Sequence, residues 1–406
     1  MYKKLTSRKN KAIIFSLWDC LFSKNYTKVV LVVKNRTEFS GNLRVVSEIL
    51  LSDDKYRIYI YKDGDIVPKI RKMLEIKGAT VLEGWSIKSL YHLLTSGIFI
   101  FSHAPRDAHI TKRCKKRTII NLWHGVAFKT IENLMPNIPK EKQEQIRNNA
   151  KLYDLIIASS AVDKQTNVDA FMLDEKKVHI TGLPRYDILK DSYILDNFLK
   201  EQKEKLLVYK KDKKLILYAP TFREKKISAL DQMSESDWNI ISNILEQNNA
   251  IMAIRPHAYD KALPVYLDNN ENFFLLPHKI FTETNLILQF TDILIVDFSS
   301  IWIDFLLLNR PIVGFAKDLE HYLSRERGFV YDFESTFPDL FFHSTETLAE
   351  QLKVLLSKKD LTTQYKEASK KFHTYTINTN FAYNFKKLYK ENMKISYPNI
   401  YNKKKY

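Results

Sequence analysis

A chain of 406 residues exceeds what one small core needs, so two domains of about 150 to 200 residues each are expected. Hydrophobic residues make up 45% and charged residues 27%, which excludes a disordered chain except at the ends. The formal charge of +17 at pH 7 points to anionic surroundings or an anionic ligand. With the lysines dispersed and no helix-turn-helix, zinc-finger or RNP-like pattern, nucleic acid is not the expected partner.

The amino-terminal segment is basic (Lys3, Lys4, Arg8, Lys9, Lys11) and leads into residues 12–22, AIIFSLWDCLF. That apolar run is too short to span a bilayer. Asp19 interrupts it and no small-x-small cleavage site follows, so neither a membrane span nor a signal peptide is expected. Two readings remain: an amphipathic helix lying in a membrane interface, with Trp18 and Phe22 immersed, or a first core helix. The two cysteines, Cys20 and Cys114, lie far apart in sequence and suggest neither a disulfide framework nor a zinc site, as in a reducing cytoplasm.

Residues 27–33 (TKVVLVV) predict a buried strand, and 41–51 carry apolar residues at helical spacing. Strand and helix then alternate: 56–61, 67–76, 79–82, 87–94 and 97–102, the last leading into His103. This alternation predicts a parallel, doubly wound sheet. Asp63-Gly64-Asp65 lies in a strand-to-helix loop and reads as a turn before it reads as a metal-holding D-x-D triplet. The next strand, 118–123, runs straight into His124-Gly125. A histidine at the carboxyl end of a buried strand, followed by a glycine that lets backbone approach a ligand, is a candidate general base or phosphate donor; a structural histidine is the competing reading. Residues 154–158 and 178–181 complete the first half, followed by the punctuation Gly182-Leu183-Pro184-Arg185-Tyr186-Asp187.

Residues 1–190 thus form one domain, 191–212 a linker helix, 213–395 a second domain and 396–406 a polar tail. In the second domain, strands at 215–219, 251–254 and 293–296 each end in polar groups suited to a phosphate: Thr221 with Arg223, Arg255 with His257, and Asp297 with Ser299 and Ser300. Parallel strands align such ends along one sheet edge, where ligands of open α/β sheets bind. Ser299 and Ser300 also stand where hydroxyls cap a helix, here 301–308, and a helix start suits a phosphate. Arg325 and Arg327, before Gly328, either reach the same edge or solvate a loop. Closing helices are expected at 348–356 and 378–393.

The strings Leu122-Trp123-His124-Gly125, Gly182-x-Pro184-Arg185-x-Asp187, Tyr218-Ala219-Pro220-Thr221-x-Arg223, Arg255-Pro256-His257, Asp297-x-Ser299-Ser300 with Asp304, and Arg310-Pro311 together resemble the CDP-glycerol glycerophosphotransferase family, which holds the teichoic acid primases and polymerases and related capsule enzymes. The resemblance covers nearly the whole chain, weakly over the first hundred residues and specifically from Trp123 to Phe333. Val126-Ala127-Phe128 departs from the family, many of whose members carry a proline in the middle of that triplet.

The resemblance implies a GT-B-like fold, two Rossmann-like doubly wound domains facing one another across a cleft, with the CDP-alcohol held by the carboxyl-terminal domain and no metal or cofactor. It implies that His124 and His257 are the catalytic histidines, in an order left open. Gly125, Thr221, Arg223, Arg255, Ser299, Ser300 and Arg327 would contact substrate, with Asp297 and Asp304 in support. The expected reaction moves glycerol phosphate, or another polyol phosphate, from a CDP-alcohol to a lipid-linked or polymeric acceptor. The positive charge then fits a peripheral protein on an anionic membrane surface, at the cytoplasmic face of the bacterial membrane. CDP-ribitol, a UDP-sugar, or non-catalytic binding of an anionic polymer are the alternatives.

Overall fold

The computed structural model describes residues 7–34, 39–221, 229–256, 267, 270–320, 322, 328–363 and 365–396, which divide into two α/β units. The first comprises the chain up to Gly125, Asn137–Asp187, and the chain from Asn378 onward. Its seven strands are β1 (Asn25–Val33), β2 (Arg57–Lys62), β3 (Thr80–Glu83), β4 (Ser96–Phe101), β5 (Thr118–Asn121), β6 (Leu155–Ala158) and β7 (Val178–Ile180), in the order β3-β2-β1-β4-β5-β6-β7. Every pairing is parallel. The physical reason is visible in β1: its run of five aliphatics, Val29–Val33 in position, is at most 1% exposed. Only a strand covered by helices on both faces can hide such a run.

The second unit comprises Val126–Pro136 and Ile188–Ile377. Its strands are β8 (Lys214–Ala219), β9 (Ala250–Ile254), β10 (Phe273–Leu275), β11 (Ile293–Val296), β12 (Ile312–Phe315) and β13 (Phe341–Phe342), in the order β10-β9-β8-β11-β12-β13 and all parallel. Both sheets therefore reverse their winding once, between β1 and β4 in the first and between β8 and β11 in the second. Crevices at such reversals, outside the carboxyl ends of the strands, are where open α/β sheets hold ligands.

The segment after Gly125 belongs to the second unit by its own contacts. Phe128 meets Trp302 edge-on at 5.2 Å and Phe329 at 4.9 Å, while Thr130 N–H donates to the Gly328 carbonyl at 3.1 Å. The helix Phe381–Ser396 differs from its expected place: it completes the first unit instead of closing the second. Its first amides, Phe381 N–H and Ala382 N–H, donate to the buried Asp187 carboxylate at 3.2 and 2.7 Å, and Asn384 reaches the Thr181 carbonyl at 3.1 Å. Gly182, at φ 70°, has no room for a side chain, since a Cβ there would lie 2.3 Å from the Phe381 ring. Asp187 is thus the cap of that helix, and Asp187→Ala should lower stability by about 2 kcal/mol. An unchanged urea midpoint in the variant would overturn that role.

The amino-terminal helix Arg8–Asp19 is anchored on one face only. Phe15 and Asp19 are buried, and Asp19 accepts from the buried Arg117 guanidinium and from Lys24 at 2.9 Å. Lys11 pairs with Asp63 at 2.7 Å, so the Asp63-Gly64-Asp65 turn fastens this helix. The opposite face leaves Ile13, Leu17 and Trp18 between 49% and 65% exposed. Among the described residues no helix is long and apolar enough to cross a membrane.

Candidate active site

In the first unit, β4 and β5 lie side by side with Phe101 opposite Asn121, so Ser102-His103 and Leu122-Trp123-His124 emerge together at the sheet's carboxyl edge, next to the reversal at β1. The turn that presents His124 is strained and heavily braced. Trp123 sits at φ 49°, in left-handed backbone that a bulky residue seldom adopts. Asn121 Oδ1 accepts from Trp123 N–H at 2.8 Å, and Asn42 Nδ2 donates to the carbonyls of Leu122 and Trp123 at 3.1 and 3.0 Å. Asn42 Oδ1 in turn accepts from Arg185 N–H at 3.0 Å, and the Arg185 guanidinium donates to the His124 carbonyl. Gly125 adopts φ 155°, and a Cβ there would stand 2.8 Å from that guanidinium.

His124 keeps an exposed edge, but the rings of His103 and Trp123 pack against its imidazole, whose Nδ1 lies 3.4 Å from the Ser102 carbonyl. A carbonyl only accepts, so Nδ1 carries the proton in this contact and Nε2 keeps its lone pair. The surrounding protein desolvates the ring, and the Arg185 charge adds to this; together they push its pKa down to about 4. At neutral pH His124 is therefore an uncharged base with a free nitrogen. Its ring is flanked by Trp123, at 4.2 Å, and by His103, which stacks on it at 4.5 Å with 8° between the planes.

In the second unit the reversal point joins the ends of β8 and β11. The Asp297 carboxylate is fully buried, and its two oxygens accept from Thr221 N–H at 2.9 and 2.8 Å. Phe298 N–H donates to the same carboxylate at 2.5 Å. Asp297 is thus a backbone brace. Thr221, Ser299 and Ser300 are half-buried around it. The helix after them is shorter than its apolar run suggests, α-helical over Ile301–Phe305 and 3-10 over Leu306–Leu308. Ser299 Oγ accepts from Ile301 N–H at 3.4 Å, whereas Ser300 makes no side-chain cap. Asp304 is buried and accepts from Asn285 at 3.3 Å, in support of the same element.

Arg255 is turned toward the interior. Its side chain is buried, and Nη1 donates to the carbonyls of Leu276 and Phe281 at 3.3 and 3.0 Å, while Nη2 reaches Thr284 Oγ1 at 3.1 Å and His278 Nδ1 at 3.0 Å. Guanidinium nitrogens only donate, so His278 Nδ1 is the acceptor and its Nε2 bears the hydrogen. Arg255 therefore shapes the loop between β10 and the helix Thr284–Phe290 and orients His278, which sequence reasoning did not single out. His257, Arg223 and Arg327 lie outside the described residues.

The sequence profile of the family described as CDP-glycerol:poly(glycerophosphate) glycerophosphotransferase matches residues 13–380. The chain belongs to that family. Among its curated relatives, the teichoic acid poly(glycerol phosphate) polymerase of Bacillus spizizenii is 28% identical over 347 residues, covering 82% of this chain and 84% of the relative. The teichoic acid ribitol-phosphate polymerase TarL of Staphylococcus aureus is also 28% identical, over 84% of this chain but only 58% of its own length. A solved structure of the wall teichoic acid polymerase TagF, soaked with CDPG, superposes with a TM-score of 0.74 at 20% identity, over 95% of this chain and 94% of that one. MnaA of S. aureus with UDP gives 0.52 at 11% identity, over 91% and 96%. These likenesses establish a GT-B-like fold of two parallel α/β units.

Proposed function

We propose that this glycerophosphotransferase family member moves glycerol phosphate, or another polyol phosphate, from a CDP-alcohol to a hydroxyl of a lipid-linked or polymeric cell-envelope acceptor, releasing CMP, in teichoic acid or capsule synthesis. The observation that carries the reading is the free Nε2 of a neutral His124 at the sheet edge of a chain from this family. His124 accepts the proton of the acceptor hydroxyl as its oxygen bonds to the polyol-bearing phosphorus, and the bond from that phosphorus to CMP breaks. Such transfers depend on positioning and charge neutralisation more than on covalent help from the protein. On the donor side the reading places Thr221, Ser299 and Ser300 at the substrate, braced by Asp297 and Asp304, with Arg223, Arg255, His257 and Arg327 assigned from the resemblance and Gly125 beside the base. No metal or cofactor enters it.

Ribitol is the second reading, because polymerases for both polyol phosphates are equally similar to this chain at 28% identity. Incubation with CDP-glycerol, CDP-ribitol and UDP-sugars, followed by nucleotide analysis, separates them. CMP from one CDP-alcohol is the expected result. Release of UDP from a UDP-sugar, or of no nucleotide, would end the proposal.

We also infer peripheral attachment to the cytoplasmic membrane face. Support comes from the outward Ile13, Leu17 and Trp18 beside a groove of about 500 Å³ lined by Arg8, Lys9, Arg106 and Lys112. Apolar side chains and lysine or arginine, the latter contributing about 1 kcal/mol each near anionic lipid, suit such a surface. Flotation with anionic but not zwitterionic vesicles is expected, and Leu17→Ser with Trp18→Ser should abolish it. Indifference of flotation to both lipid charge and these substitutions would contradict the attachment.

A further inference from the structure

We propose that His103 is a positioning residue for His124, holding the base in register by stacking its ring flat against it. The inference rests on His124 acting as the base. The stack has a geometric reason to matter, because among the described residues the single hydrogen bond to the His124 ring, from Nδ1 to the Ser102 carbonyl, is long at 3.4 Å. A contact of that length leaves the ring's orientation weakly fixed. His103 supplies what is missing: a parallel plane at 4.5 Å and 8° over one face, with the tilted Trp123 ring, at 4.2 Å and 44°, standing to the side and 6.3 Å from His103. Stacked against one plane and walled at the side by an indole, the imidazole has little freedom to turn about its last side-chain bond.

His103 is itself held from three sides. Its Nδ1 lies 2.9 Å from Ser102 Oγ, its carbonyl accepts from Asn121 Nδ2 at 2.9 Å, and its ring has Trp123 6.3 Å away. Ser102 thus serves both histidines, with its carbonyl to one and its hydroxyl to the other. Asn121 likewise joins the two strand ends, bracing Trp123 N–H with its oxygen and His103 with its nitrogen. The pair stands at the β1/β4 reversal, where a ligand crevice is expected.

The arrangement also divides the protonation between the rings. Burial first, and then the charges of His124 and Lys34, hold His103 far below the usual imidazole range. The charged groups that face His124 are Arg185, from the loop after β7, and Lys34, at the end of β1. Two stacked imidazoles do not both become cations, so the more accessible His124 is the one that takes a proton.

The test compares His103→Ala, which removes the ring, with His103→Phe, which restores a flat one. His103→Ala is expected to lower kcat about tenfold, with KM for the CDP-alcohol within about twofold, because the base is misplaced while donor binding is untouched. It also opens the face of His124 to water, so the acid limb of the pH–rate profile and the NMR titration of the His124 ring should both move up by about one unit. His103→Phe should recover most of kcat and return both titrations to their original place. Loss of activity in His103→Phe equal to that in His103→Ala would overturn the stacking role, as would kcat and limb unchanged in His103→Ala. His124→Ala is run alongside: if it remains active, the base assignment itself fails, whereas an inactive His124→Ala beside a fully active His103→Ala removes only His103.

Discussion

Replacing His124 by alanine should lower turnover by about a hundredfold or more, with the fold and the donor affinity retained. Among the described residues the ring makes one hydrogen bond, of 3.4 Å, so its loss leaves little unsatisfied and the effect should fall on chemistry. The pH dependence sharpens the test. A base works unprotonated, and desolvation with the Arg185 charge places the pKa of His124 at about 4. The rate should hold level from neutrality to about pH 5 and fall by about tenfold per pH unit below the pKa. The remaining activity of His124→Ala should lack that limb. A limb that persists in the variant would assign it to another group, and near-normal turnover would remove His124 from the reaction.

Asp297→Ala carries the second large effect, on stability first. The carboxylate is fully buried and holds Thr221 N–H and Phe298 N–H. It therefore ties the ends of two strands that run side by side, Ala219 opposite Val296. Without it the buried Phe298 N–H and the half-buried Thr221 N–H lose their shared carboxylate acceptor, which costs about 3 kcal/mol. Asp297→Asn keeps one acceptor oxygen and should lose about half as much. Because Thr221 and Ser299 flank the brace, KM for the CDP-alcohol should rise at least tenfold in any Asp297→Ala protein that folds. Calorimetry of the two variants beside the wild type decides the first point, and an Asp297→Ala protein melting with the wild type would refute the brace.

The strands were legible because parallel sheets bury both faces. Residues 293–296, predicted from their apolar run, coincide with β11, and 118–123 overshoots β5 by two residues only because Leu122 and Trp123 continue its apolar character into the turn. Local pattern does not carry the rest. His103 and His124 meet because β4 and β5 are neighbours, a fact of topology rather than of spacing. Arg255 follows a strand just as a ligand-binding arginine would; its inward aim depends on two carbonyls, Thr284 and His278, all contributed by a loop more than twenty residues away. The two residues of β13 are too few to show any periodicity, and Ser300 has the residue type of a cap without making one. Asn42 had a signal, since Gly41-Asn42 follows the first strand and opens a helix, but its task of bracing a turn some eighty residues later had none.

The wiring of the chain sets a timetable for synthesis on the ribosome. The first unit draws on stretches that lie before and after the second in the chain, and Asp187 waits for amides at Phe381 and Ala382 that are made 194 and 195 residues later. The contiguous stretch Ile188–Ile377 can pack its sheet earlier, while the nascent amino-terminal half still lacks its final helix. A fragment ended near residue 190 would leave the apolar surface meant for Phe381, Phe385 and Tyr389 bare, and so be prone to aggregate. Splitting the gene at the apparent domain boundary is therefore the wrong way to isolate the half that bears His124; joining the last helix to that fragment through a short linker is the right one.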